Sequence, residues 1–103
     1  MTQRDDEVRL RRMLDYSRKE SAMIRGRERQ DLDNDEMLGL ALTRLVEIVA
    51  EAATRVSPAD QQRHGQIPWA QIVGLRNRLV HGYDAVDLDI LWDIDQQDLP
   101  ALI

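Results

Sequence analysis

Between Asp35 and Val56 the chain returns an apolar side chain every third or fourth residue. Leu38, Ala41, Leu42, Leu45, Ile48, Val49, Ala52 and Val56 share one face of the helix this spacing predicts. A strand would alternate at every second position, and no segment of the chain does so. The stripe therefore sets the class: an all-α fold in which other helices cover that face. With 103 residues, one domain spanning the whole chain is expected. There is no cysteine, which excludes a disulfide framework and thiolate-held zinc.

Helices on either side complete the expected bundle. Thr2 to Arg25 reads as a first helix with Asp5, Asp6 and Glu7 at its positive end and Gly26 as its stop. Leu10, Met13, Leu14, Ser17, Ser21 and Ile24 form its one narrow buried stripe. Gln30 to Asn34 reads as a polar connection, with Asp33 or Asn34 as cap for the next helix. Ser57-Pro58 starts a short helical piece ending near His64, and Ile67-Pro68 precedes a helix from Trp69 to Val80 or His81, stopped by Gly82. Asp87 caps a segment from Leu88 to about Gln96, and Asp98-Leu99-Pro100 opens a last short one. Short connections imply antiparallel neighbours, a four- to five-helix up-and-down bundle. Trp69 and Trp92 sit on apolar faces and read as core anchors.

Charge is unevenly laid out. The net charge is −5, yet residues 1–30 carry nine Lys or Arg against six acids, and residues 84–103 carry six acids and no base. An acidic total argues against a general nucleic-acid binder, while a local basic groove stays open; the two ends also read as surfaces that offset each other. No apolar run approaches the roughly 18 residues of a membrane span. The first twenty residues are too charged for a signal peptide, so a cytoplasmic location without membrane contact is expected.

Polar chemistry concentrates in Leu75-Arg76-Asn77-Arg78-Leu79-Val80-His81-Gly82-Tyr83, at the end of a predicted helix. On a regular wheel Arg76 falls within the apolar arc of Ile72, Val73, Leu75, Leu79 and Val80, and a guanidinium there needs a partner. Glu47 or Glu51 of the preceding long helix is expected to pair with Arg76 or Arg44. Arg44, Glu47 and Glu51, three and four apart, also read as a solvated ion-pair row. His81 lies about 140° round the same helix from Arg76. Either the helix unwinds near Gly82 and swings His81 round, or a second copy of the chain supplies the missing group across a two-fold axis. An imidazole moves protons near neutral pH, and a guanidinium clamps a phosphate and stabilises its added charge. Together they suit cleavage of RNA by its own 2′-hydroxyl, without a metal. A structural helix-end histidine fits the same spacing. No Gly-rich phosphate loop, catalytic serine triad or metal-ligand cluster is present, so neither a metal nor a cofactor is expected.

Residues Arg76 to Tyr83 resemble the Arg-polar-x3-His motif of the HEPN superfamily, and the added His-x-Tyr is similar to its HepT-type toxin branch. Ala41 to Ile48, Val56-Ser57-Pro58, Ile67-Pro68-Trp69, Val86 to Asp93 and Asp98 to Leu102 resemble that branch in the same order. The resemblance implies a homodimeric helical bundle with both motifs facing one interface cleft. It implies Arg76 and His81 as the ribonuclease residues, Asn77 as supporting polar position, and products ending in a 2′,3′-cyclic phosphate and a 5′-hydroxyl. It further implies a minimal nucleotidyltransferase antitoxin as partner, which attaches AMP to Tyr83 and so blocks RNA with bulk and negative charge. RNA is placed along the basic first helix at Arg9, Arg12 and Arg18. The competing reading is a non-cleaving nucleotide- or partner-binding subunit of a nucleotidyltransferase complex; a plain helical dimer is the third.

Overall fold

The computed structural model describes residues 3–81 and 85–103, with His81 described by its backbone. Helix α1 spans Gln3–Ile24 and α3 spans Glu36–Thr54, joined through a short α2, Arg29–Asn34. The two long helices form an antiparallel hairpin. Asp6, in the first turn of α1, accepts from Ser57 just beyond the end of α3, 3.0 Å from the backbone nitrogen and 2.6 Å from Oγ. Those two bonds from Ser57 hold the Asp6 carboxyl below its ordinary pKa.

Local chemistry explains most of the boundaries. Gly26 stops the first helix with φ 77°, a conformation that costs a glycine little. The polar connection expected at Gln30 to Asn34 is instead helical throughout, as α2: the Glu28 backbone donates to Asp31 Oδ2 at 2.7 Å and Leu32 is buried. Asp35, rather than Asp33 or Asn34, caps α3 by accepting from the Leu38 nitrogen at 3.0 Å. The Ser57 side chain caps α4, Pro58–Arg63, as its Ser-Pro start signal predicts.

The core lies between α1, α3 and the elements after Trp69. Leu42, Val46, Val49 and Ala53 of α3 are fully buried together with Ile72, Leu75, Leu79, Leu91, Ile94 and Leu99. Trp69 and Trp92 pack against this cluster, and the Trp69 indole nitrogen donates to the His64 carbonyl at 3.1 Å.

The helix expected from Trp69 to Val80 or His81 is shorter and interrupted. α5, Trp69–Val73, and α6, Leu75–Leu79, meet at Gly74, where an added Cβ would sit 3.3 Å from the Ala70 carbonyl oxygen. At Val80 the backbone turns extended, with φ −98° and ψ 125°. Val80 pairs antiparallel with Val86, and His81 with Ala85, making β1 (Val80–His81) and β2 (Ala85–Val86). This ladder corrects the expectation of no strand. Two residues per strand are too few for any alternation to register in the sequence.

After Asp87, which caps as predicted, α7 runs Leu88–Asp93 and widens into a π-helical turn, Ile94–Asp98. The Leu99 nitrogen donates to the Ile94 carbonyl at 3.1 Å, five residues back. A 3₁₀ turn, Pro100–Leu102, completes the segment. The described residues thus hold seven α-helical segments, two long and five short, in place of four or five bundle helices. Among them no helix is long and apolar enough to cross a membrane.

Candidate functional site

The buried arc of the motif helix is narrower than the wheel suggests. Ile72, Leu75 and Leu79 are fully buried, whereas Val73 is 38% exposed and forms part of a groove wall. Arg76, at the edge of the true arc, therefore points to solvent, with its side chain 60% exposed. It is not a buried cation. Its Nε still lies 3.5 Å from Glu47 Oε2 on α3, so the expected pairing holds for that glutamate. A contact this exposed contributes about 1 kcal/mol at most and serves to aim the guanidinium. Glu51 instead meets Arg55 at 3.3 Å, and neither acid takes Arg44. The row of Arg44, Glu47 and Glu51 is therefore not a chain of mutual ion pairs.

The groove beside Arg76, about 320 Å³, is lined by Arg44, Glu47, Thr54, Val73 and Asn77 among others. A second groove of about 500 Å³ runs between α1 and α3 and is lined by Arg9, Arg12, Arg55 and Ile48. Arg44 and Glu51 belong to both, which makes the two contiguous. Five arginines face Asp5, Glu47 and Glu51 along this path, giving a locally positive track on a chain of net charge −5. Of the three arginines proposed for RNA on the first helix, Arg9 and Arg12 line this track and Arg18 does not.

The helical geometry that separates Arg76 from His81 ends at Leu79. Beyond it, the hairpin ladder sets the path of the chain, and the Asp87 nitrogen closes on the Leu79 carbonyl at 3.0 Å. Unwinding thus begins at Val80, two residues earlier than the Gly82 expected from the sequence. The His81 backbone stands opposite Ala85 in this ladder. Gly82 and Tyr83 lie outside the described residues.

Behind the motif, Asp98 is the anchor. Its buried carboxylate accepts from Arg78 at 2.6 Å and from Gln71 Nε2 at 2.9 Å, tying α6 and α5 to the π-helical turn. Arg78 is therefore spent on the fold while Arg76, two residues before it, faces the groove.

A second buried acid of that turn, Asp95, meets Glu20 of α1. Both are fully buried, and among the described residues no donor reaches any of the four carboxyl oxygens. Burial pushes both carboxyls up, Glu20 to about 10 and Asp95 to about 6, and the Asp95 carboxylate raises Glu20 further. Both shifts favour the protonated form, and a proton shared within the pair is the donor that these oxygens otherwise lack.

With the site in place, comparison with known proteins decides the family. The family model described as Ribonuclease HepT-like matches residues 10–103. The chain belongs to the HepT-like ribonuclease family. This HepT-like chain is 35% identical over 69 residues to "Putative RNase MJ1380" of Methanocaldococcus jannaschii, covering 67% of the chain and 63% of that relative. It is 32% identical over 73 residues to "Probable ribonuclease HepT" of Thermococcus cleftensis, covering 71% and 66%. Both matches thus span slightly under two thirds of the relatives' own length. "Putative RNase MJ1216" of M. jannaschii is 24% identical over 102 residues, covering 99% of this chain and 84% of that one. No solved structure matches the chain.

Four side chains of the HepT-like chain are not singled out from the sequence, and only one of them leaves a periodic trace. Arg55 joins the groove as the C-cap residue of α3 and looks like any exposed helix-end cation. Asp98 and Asp95 are indistinguishable from the other acids of the C-terminal segment. Glu20 has one available signal: it lies three residues beyond Ser17 and four before Ile24, on the buried stripe itself.

Proposed function

We propose that this chain is the endoribonuclease toxin of a toxin–antitoxin pair, cutting RNA without a metal through Arg76 and His81 of two copies in one cleft. The observation that carries the reading is the solvent-facing Arg76, aimed by Glu47 over an arginine-lined groove, in a chain of the HepT-like ribonuclease family. The 2′-oxygen attacks the adjacent phosphorus as a base removes its proton. The bond from phosphorus to the 5′-oxygen breaks, and that oxygen takes a proton from an acid. The products are a 2′,3′-cyclic phosphate and a 5′-hydroxyl. Two His81 imidazoles, one from each copy, divide the base and acid roles. Arg76 stabilises the charge gathered on the phosphoryl oxygens, Asn77 supports it as a neighbouring polar donor, and Glu51 holds Arg55 in the groove.

The purified chain is expected to cut single-stranded RNA in the presence of EDTA, and Arg76→Ala to lower the rate about 10²-fold. Nucleotide binding with no RNA turnover over a wide range of protein concentration would replace this reading with that of a non-cleaving binding subunit.

Neutralisation is a matter of charge. A minimal nucleotidyltransferase antitoxin attaches AMP to the Tyr83 hydroxyl, placing a phosphodiester and a bulky base two residues from His81. Co-expression with such a transferase is expected to raise the mass of the chain by multiples of AMP. A mass gain that persists in Tyr83→Phe would move the modification to another residue.

A further inference from the structure

We infer that Arg44 is a phosphate-binding residue for single-stranded RNA, holding a backbone phosphate next to the one that Arg76 attends. The inference rests on the ribonuclease reading only for the identity of the polyanion. It starts from how the groove's charges are shared out. Glu47 is engaged by Arg76 at 3.5 Å and Glu51 by Arg55 at 3.3 Å, so each acid of the α3 rim already has a cation. Arg9 donates to the Asp5 carbonyl at 3.0 Å, and Arg12 stacks over the Tyr16 ring at 5.6 Å. Arg44 alone among these five arginines has no ion pair, hydrogen bond or ring contact within the described residues. It is exposed, and it stands where the two grooves join.

An uncompensated guanidinium at the junction of a positive track is the point where an anion gains most, because no existing partner has to be displaced. The ligand must also be extended. Arg76 lines one groove, Arg9 and Arg12 the other, and Arg44 both, so a strand that engages Arg76 and α1 together passes Arg44. Flexible single-stranded RNA, with a charge at every nucleotide, meets that requirement.

The test separates binding from cleavage. Affinity for a fluorescent single-stranded RNA is measured by anisotropy across a salt series, in a His81→Ala background, with and without Arg44→Gln. Arg44 is exposed, so the substitution leaves the core intact, and the thermal midpoint checks this. Arg44→Gln is expected to weaken binding about tenfold and to lower the salt slope by about 0.7, the loss of one single-strand phosphate contact. Arg44→Lys is expected to restore the slope, because a point charge suffices for counterion release. In the cleavage-competent chain the change should fall on KM rather than kcat. Unchanged affinity and slope in Arg44→Gln would overturn the inference, whether or not the chain cuts RNA. A loss of affinity in a chain that cuts nothing would leave the inference standing and sink the ribonuclease reading instead.

Discussion

His81→Ala is expected to reduce RNA cleavage by about 10²- to 10⁴-fold while leaving the helical content of the chain unchanged. The size comes from the chemistry. Without an imidazole, the 2′-hydroxyl must lose its proton to water and the 5′-oxygen must leave without an acid. The proposed division of labour also predicts a pH profile. A pair of imidazoles, one accepting and one donating, gives a rate that falls on both sides of an optimum near neutral pH. In His81→Ala the residual rate should lose that bell shape, which a purely structural histidine would not remove. The result that would sink the assignment is cleavage within a fewfold of wild type, or a pH profile that the substitution leaves intact. Circular dichroism on the same preparation separates lost chemistry from lost fold.

The second large effect concerns stability rather than activity. The unfolded chain ionises Glu20 near its ordinary 4.5, whereas burial beside Asp95 raises the folded value to about 10. The folded state therefore binds the extra proton, and stability falls as pH rises from about 4.5 toward 10. At about 1.4 kcal/mol per pH unit, up to about 4 kcal/mol is lost between pH 5 and pH 8. Asp95, raised to about 6, adds to the same slope at its acid end. Asp6 acts in the opposite sense: Ser57 lowers its pKa, so its contribution is present above the ordinary carboxyl range and lost in acid. Wild type is expected to be most stable in mildly acidic solution. Glu20→Gln keeps the shape, supplies a permanent amide donor to Asp95, and should flatten the decline, leaving the variant more stable than wild type at pH 8. Urea unfolding at pH 5 and pH 8 reads this directly. Equal wild-type stability at the two pH values, or a variant with an undiminished decline, would show that no proton is held at that site.

How much of the molecule is legible in its sequence depends on whether a feature leaves a periodic trace. The two long helices do: the Leu38–Val56 stripe and the Gly26 stop place α1 and α3 to within a few residues. Caps do as well, since Ser57 and Asp87 declare themselves by residue type and by the helix-forming residues directly after them. The kink at Gly74 and the ladder at Val80 do not. The ladder depends on Val80 meeting Val86 and on the Asp87 nitrogen meeting the Leu79 carbonyl, contacts that no local pattern encodes. A regular wheel puts Arg76 in the apolar arc, whereas the folded chain buries only Ile72, Leu75 and Leu79 of that helix face and leaves Arg76 exposed. The sequence narrows its partner to Glu47 or Glu51, the carboxylates supplied by the neighbouring helix, and the fold selects Glu47. Glu20 shows itself only as an acid on the buried stripe of α1, and nothing in the sequence points to Asp95 as its neighbour. A buried acid pair looks like two surface acids until the turns carrying them are packed together.

The most direct test of the Arg76–His81 assignment is the chemistry of the ends left on RNA cut in EDTA. The expected result is a 2′,3′-cyclic phosphate and a 5′-hydroxyl at each cut, with both absent when His81→Ala replaces the wild-type chain. Cuts that require a divalent metal, that leave a 3′-hydroxyl and a 5′-phosphate, or that continue undiminished in His81→Ala would contradict it.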